Sequence, residues 1–269
     1  MRSGTWKKKR IKYRGVSGYA NVNMDFYRTI PNLGEQIFSF NFKTIPFYAY
    51  GLKQFRNPNW SAGLQYLLLY TKVKYDGPLP DFVDPEDITS LVSSIGPVIE
   101  FDNRDNIFTP NKGFRAHIDT YWSNSVIGSD YNYGRINYFL YAYQPLAPKL
   151  TGGLRIDGQQ AFGSTPFFLL PYVDMRGIPT NRYQGQADLL TEAELRWDFS
   201  RRWSLMGFGG TGKAFDDWSD FGEATWAYSY GTGFRYLMAR KFGLRMGIDV
   251  ARGPEQWAYY IVFGSSWYK

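Results

Sequence analysis

Residues 242–251 read Phe242-Gly243-Leu244-Arg245-Met246-Gly247-Ile248-Asp249-Val250-Ala251. Every second position from Phe242 is large and apolar, and the positions between carry glycine, charge or alanine. Successive side chains of an extended strand point to opposite sides, so a period of two predicts a strand with unlike faces. The same alternation recurs upstream. Leu189, Ala193, Leu195, Trp197 and Phe199 oppose Glu192, Glu194, Arg196 and Asp198, and Phe114, Ala116, Ile118 and Trp122 oppose Arg115, His117, Asp119, Tyr121 and Ser123. The helical period is missing almost everywhere.

Alternation alone also fits a soluble sandwich, so the chemistry of the two faces decides the class. The apolar face is large and aromatic, while the other carries Arg with Asp or Glu, plus Gly, Asn and Gln. Several charges on one face of one strand, as at Arg115, His117 and Asp119, suit an enclosed, hydrated lumen. Trp60, Trp122, Trp197, Trp203, Trp226, Trp257 and Trp267 fall near strand ends, as in the aromatic belts at membrane interfaces. No stretch approaches the 18 or so apolar residues that a spanning helix needs, whereas a closed sheet satisfies its backbone within lipid. The expected fold is therefore all-β, an antiparallel transmembrane β-barrel.

Composition agrees. Aromatic residues make up 19% of the 269 residues, with 22 Tyr, 21 Phe and 9 Trp. Cys is absent and His117 is the one histidine, which leaves no disulfide framework and no multi-imidazole metal site. The net charge of +7 includes the basic start Trp6-Lys7-Lys8-Lys9-Arg10. It fits lumen, loops or anionic lipid head groups; no nucleic-acid motif accompanies it. Met1-Arg2-Ser3-Gly4-Thr5 opens no secretory signal, so a mature chain or a piece of a longer precursor is expected.

Turn signals divide the chain into about twelve strands: 13–28, 33–50, 59–75, 88–103, 112–125, 131–145, 149–162, 188–200, 202–214, 222–239, 242–252 and 256–268. Residues 1–12 are set apart as a basic periplasmic segment, and 13–269 form the barrel domain. An even count puts both termini in the periplasm. The connections near 145–148, 200–202 and 239–241 then become short periplasmic turns, and 76–87, 163–187 and 215–221 become longer external loops. The longest, 163–187, is rich in Gly, Pro and apolar residues, and loops of that length usually have a job or are disordered.

Three segments resemble one family. Asp102-Asn103-Arg104-Asp105-Asn106-Ile107-Phe108-Thr109-Pro110-Asn111-Lys112-Gly113 resembles the D-x-R-D-N-x-x-x-P-x-x-G turn of the BamA/TamA outer-membrane assembly superfamily. Met175-Arg176-Gly177-Ile178-Pro179 is similar to that family's V-R-G-F/Y motif on its lid loop. Tyr259-Tyr260-Ile261-Val262-Phe263-Gly264-Ser265-Ser266-Trp267 resembles its C-terminal signal. The resemblance covers the chain from about residue 98 to the end. It implies a short branch without periplasmic POTRA domains, lacking four of the family's sixteen strands, with the lid loop between the seventh and eighth strands here.

The resemblance also implies that the lid loop tucks into the lumen, where Arg176 meets acids on the next strand. Glu194 matches the family position and Glu192 shares its face. A second family acid, expected within 208–212, is replaced, and Gly210 stands there. The alternative is a loop exposed to solvent with Arg176 in water. In the Asp102–Gly113 turn, Asp and Asn cap the backbone, Pro110 fixes φ and Gly113 accepts unusual dihedrals. That segment is either a rigid periplasmic turn or a docking site for a partner. His117, Asp119 and Ser123 superficially suggest hydrolysis. Residues six apart on a strand lie roughly 20 Å apart, and no G-x-S-x-G elbow exists, so all three read as lumenal polar groups, as do Arg135, Arg155/Asp157 and Arg245/Asp249.

Two functions stay open. One is a non-enzymatic barrel assisting protein or lipid insertion or transport at the Gram-negative outer membrane, through a weak seam between first and last strands, where Gly15, Gly18 and Gly264 lie. The other is a passive or plugged pore, or an anchor for a missing periplasmic domain. Neither calls for a cofactor or metal. Partners would be outer-membrane lipids, accessory proteins or clients, and the oligomeric state is not legible.

Overall fold

The computed structural model describes residues 2–30, 33–75, 80, 83 and 88–267. Its strands are β1 (Arg2–Trp6), β2 (Ile11–Ser17), β3 (Ala20–Ile30), β4 (Gly34–Gln54), β5 (Trp60–Lys74), β6 (Thr89–Asp102), β7 (Gly113–Ser123), β8 (Tyr133–Ala147), β9 (Leu150–Gly163), β10 (Ala187–Trp197), β11 (Trp203–Phe215), β12 (Ala227–Ala239), β13 (Leu244–Arg252) and β14 (Trp257–Phe263). All belong to one antiparallel sheet in which neighbours in sequence are neighbours in space, except that β2 and β3 both pair with β4 and not with each other. Short connections make this the cheapest arrangement for a chain of alternating strands.

The twelve expected strands are present with shifted ends. The first is broken: β2 pairs with the Phe47–Lys53 half of β4 and β3 with its Gly34–Thr44 half. The break falls at Gly18-Tyr19, next to a glycine, which weakens strand continuity. Arg2–Trp6, inside the segment set apart as 1–12, pairs with Ile11–Gly15 and adds a short outer strand. The lid loop therefore follows the eighth strand rather than the seventh when β2 and β3 are counted as one. The stretch around Leu67-Leu68-Leu69 keeps register without a break from Ser61 to Lys74 against β4. Pro145 carries no donor and marks a register shift between β8 and β9. The expected external loop 76–87 lies almost wholly outside the described residues.

Faces sort as the alternation requires. Leu64, Ile99, Ile118, Leu154, Leu195, Leu205, Ile248 and Ile261 are exposed on the outer wall, while Glu100, Asp119, Arg155, Glu192, Arg235 and Asp249 are buried inside. Apolar outside and ionic inside is the distribution of a transmembrane barrel. Six of the seven tryptophans expected at the interfaces are indeed exposed.

Trp267 is the exception, and its placement is corrected: it is buried on the inside against Tyr141 and Tyr143. The cause is local. The last strand stops at Phe263, short of the expected 268. Gly264 then takes φ +79°, a left-handed conformation that side chains resist. That one residue turns the tail 264–267 inward and ends the alternation.

Among the described residues, ladder pairing runs from β1 to β14 and does not join the two ends. The free edge is formed by β1 beside β2 and by β3 beyond it; the opposite free edge is β14. At the lid-loop end, the β3–β4 hairpin outreaches β5, whose pairing with β4 stops at Asn41–Lys74. The outer face of that extension carries a polar patch, with Asn41 bonded to Asn21 and Asn23, and Ser39 to Asp25. Its inner face is a phenylalanine cluster of Phe26, Phe40 and Phe42.

Candidate functional site: a lid loop held inside the barrel

Residues 164–186 leave β9 and fold inward before β10 begins. Phe167, in a short 3-10 turn over Phe167–Leu169, enters the phenylalanine cluster; its ring centre lies 4.9 Å from Phe26 and 5.3 Å from Phe40. Val173, Met175 and Ile178 bury against Leu190 and Ala227 on the opposite wall. A single bridge, Tyr172 to Gln184, closes the loop on itself. Aromatic burial on one wall and aliphatic burial on the other fix the loop across the bore.

Arg176 stands at its centre. The Nε donates to Glu192 Oε1 at 2.8 Å, and Nη2 reaches both Glu192 and Glu194, the latter at 3.1 Å. Nη1 donates to Asp249 Oδ2 at 2.8 Å and to Ser266 Oγ at 3.0 Å. The guanidinium also lies 3.5 Å over the Phe208 ring. Burial raises the cost of its charge, but the three carboxylates outweigh it and lift its pKa further above the ordinary arginine value. A planar, five-donor cation is the group that can serve three acids at once. Of the motif's other members, Gly177 donates its N–H to Tyr260 Oη at 2.9 Å, and Pro179 follows Ile178 into the turn that closes on Arg182.

These contacts belong to a longer lumenal network. Asp157 pairs with Arg155 at 2.8 Å, Arg155 reaches Glu192 at 3.4 Å, and Arg235 forks onto Asp249 at 2.5 and 2.9 Å. Trp267 Nε1 donates to Glu192 Oε2 at 2.9 Å. The C-terminal tail thus reaches the carboxylate that holds the lid.

Gly210 stands where the resemblance led to the expectation of an acid. A Cβ there would lie 2.8 Å from Met175 Sδ and 2.6 Å from the Thr191 carbonyl. The lid methionine occupies the space, and the third acid comes instead from Asp249 on β13. Asp249 and Glu192 were legible as inward charges. That Asp249 meets the lid was not, because strands three apart in the sheet are joined only by its curl.

The turn between β6 and β7 closes the opposite mouth. Arg104 forks onto Asp102 at 2.9 and 2.8 Å. Asp105 accepts from Asn111 N at 2.9 Å, Asn111 Nδ2 at 3.0 Å and Lys112 N at 3.2 Å. Burial opposes its ionisation, yet these bonds prevail and hold the carboxyl below the usual range. Asn106 caps Phe108 and Thr109 and donates to Phe242 O at 2.8 Å. Pro110 is buried, and its carbonyl accepts from Arg196 at 3.2 Å. Gly113 has φ +96° where β7 begins, and Gly264 lies against the Phe108 carbonyl. The turn is thereby tied to β10, to the β12–β13 connection and to the tail.

His117 contacts Asp119 at 3.1 Å and stacks on Phe139, whereas the Ser123 hydroxyl donates to Ser93 O at 2.9 Å. Structure does not bring His117 and Ser123 together. A cavity of about 860 Å³ remains between the lid and β2, bordered by Arg14, Tyr48, His117, Asp119 and Arg135. No cluster of His, Cys, Asp or Glu suited to a metal occurs among the described residues.

Among solved structures, the chain is similar to BamA from Haemophilus ducreyi lacking POTRA domains 1–3, with a TM-score of 0.68 at 14% identity over 97% of this chain and 59% of that one. It is also similar to CdiB from Escherichia coli, with a TM-score of 0.53 at 12% identity, covering 94% and 52%. The chain thus spans little more than half the length of either. At such identities the likeness establishes the barrel fold of this class. No family model matches, and no curated protein matches in sequence.

Proposed function

We propose that this chain is an outer-membrane barrel that assists insertion or transport of protein or lipid through its wall, at the seam between the β1/β3 edge and β14. The observation carrying this reading is the combination of an unzipped seam with an occupied bore. Unpaired strand edges in lipid are unfavourable, so an edge left open is available to whatever can pair with it or slip past it. A passive pore would need the reverse, a zipped wall around a clear channel. Likeness to BamA and CdiB supports the same class of activity.

In this reading the lid loop faces outward and the Asp102–Gly113 turn faces the periplasm. Arg176 and its acids hold the lid in place while the wall opens beside it. The test is a disulfide between the free edges of β1 and β14 in proteoliposomes. Cross-linking is expected to abolish insertion of an unfolded small barrel protein, and reductant to restore it. Equal activity before and after cross-linking would leave the anchor or lumenal-pore reading in its place.

A further inference from the structure

We infer that Arg182 is a latch that holds the two edges of the seam at a fixed spacing through the lid loop. The inference rests on the seam reading above and adds what regulates it. Arg182 Nη1 contacts Glu35 Oε1 at 2.5 Å, at the start of β4 in the first long hairpin. Its Nε lies 3.2 Å from Glu255, in the β13–β14 turn of the last hairpin. The two acids are 220 residues apart in sequence and stand on opposite sides of the unpaired gap.

The surroundings reinforce both ends. The guanidinium lies 5.0 Å from the Tyr27 ring on β3 and 4.9 Å from the Tyr183 ring, and Tyr183 Oη donates to Glu255 at 2.6 Å. Arg28 on β3 donates to Gln184 at 3.1 Å. Residues 182–184 therefore grip the first hairpin and the last, where no ladder pairing among the described residues spans the gap.

The chemistry suits a reversible strap. A planar cation can serve two carboxylates at once. The Arg182 side chain is largely covered, but the Glu35 and Glu255 side chains are 42% and 28% exposed, so water and salt reach the pairs and weaken them. The Arg176 cluster, by contrast, is almost wholly covered, with Glu192 and Asp249 fully buried. One loop thus has a deep anchor that stays and a shallow latch that releases. Releasing it needs a competing charge, which an incoming acidic or basic segment at the outer rim would supply.

The test reads the seam directly, apart from any insertion activity. Spin labels are placed at the exposed positions Val22 on β3 and Tyr259 on β14 in the full chain, reconstituted in vesicles, and distances are measured by pulsed dipolar spectroscopy. Arg182→Ala and the Glu35→Gln/Glu255→Gln pair are expected to lengthen and broaden the distribution, whereas Arg182→Lys, which keeps the charge, moves it less. Raising salt to about 1 M, where screening acts within a few Å, should shift the wild type the same way and leave Arg182→Ala unmoved. An unchanged distribution in Arg182→Ala at low salt overturns the latch. Should that variant not fold, the wild-type salt series decides alone, and a salt-independent distribution overturns it. If insertion fails while the distances respond, the latch stands and the insertion reading falls.

Discussion

At Arg176 one side chain holds three carboxylates from β10 and β13 in a nearly covered space. Glu192 and Asp249 are fully buried there. A buried charge that loses its partner is costly, so Arg176→Ala is expected to destabilise the barrel by about 3–5 kcal/mol. Urea unfolding in vesicles would read the loss. Arg176→Lys should recover only a minor part, because an ammonium cannot fork onto several acids. Combined with Glu192→Ala, the loss should fall short of the sum, since each change removes the other's reason to matter. Additive losses would show that the two residues act apart. Glu192 and Glu194 could be read from alternation along one strand. Asp249 and Trp267 as lid contacts could not, since the first depends on curl across the sheet and the second on a single positive φ at Gly264.

The elements divide between those whose instructions are local and those whose contacts are distant. Strands obey period two, which is why β5 to β13 match the expected spans to within about three residues, β12 excepted, which starts at Ala227 and not at 222. The break at Gly18 and the short β1 carried no periodic signal, because a five-residue strand holds too few alternations to stand out. The Asp102–Gly113 turn is the clearest local case: Asp105, Asn103 and Asn106 each cap nearby backbone N–H groups. Its long-range ties to Phe242, Arg196 and Gly264 were not visible in the motif. Asp105 also sets a pH dependence. Its folded pKa lies below the unfolded value of about 3.9, so its stabilisation of the turn is complete above that value and is lost as pH falls through the lower folded one. Backbone amide shifts of Asn111 and Lys112, followed from about pH 6 to about pH 2, should hold steady through the unfolded midpoint and move only below it. Movement centred at or above that midpoint would mean that the hydrogen bonds do not favour the ionised form.

Across the whole molecule, the lid loop is the piece that makes a curled sheet into a filled barrel. Phe167 seals the first strands, Arg176 the last, and Arg182 the gap between them. Replacing residues 166–184 with a short Gly-Ser linker would remove all three. The wall would still have its ladders, because none of the strand pairings runs through the loop except the isolated Tyr172–Gln184 bridge. What remains where the loop's arginine stood is unbalanced. Asp157, Glu192, Glu194 and Asp249 stay, while of the cations that pair with them only Arg155 and Arg235 are left. Four carboxylates against two guanidiniums, inside a low-dielectric wall, make a negative constriction, and rings of Asp and Glu favour cations. The shortened barrel is therefore expected to conduct more than the parent and to prefer cations. The measurement is the reversal potential of single barrels in planar bilayers under a potassium chloride gradient. Arg176→Ala alone should move it in the same direction with a smaller rise in conductance, as it removes the cation but leaves the loop's apolar anchor in the bore. A non-selective or anion-selective channel after removal of the loop would show that these acids do not face the permeation path, and with it that Arg176 does not neutralise the lumen.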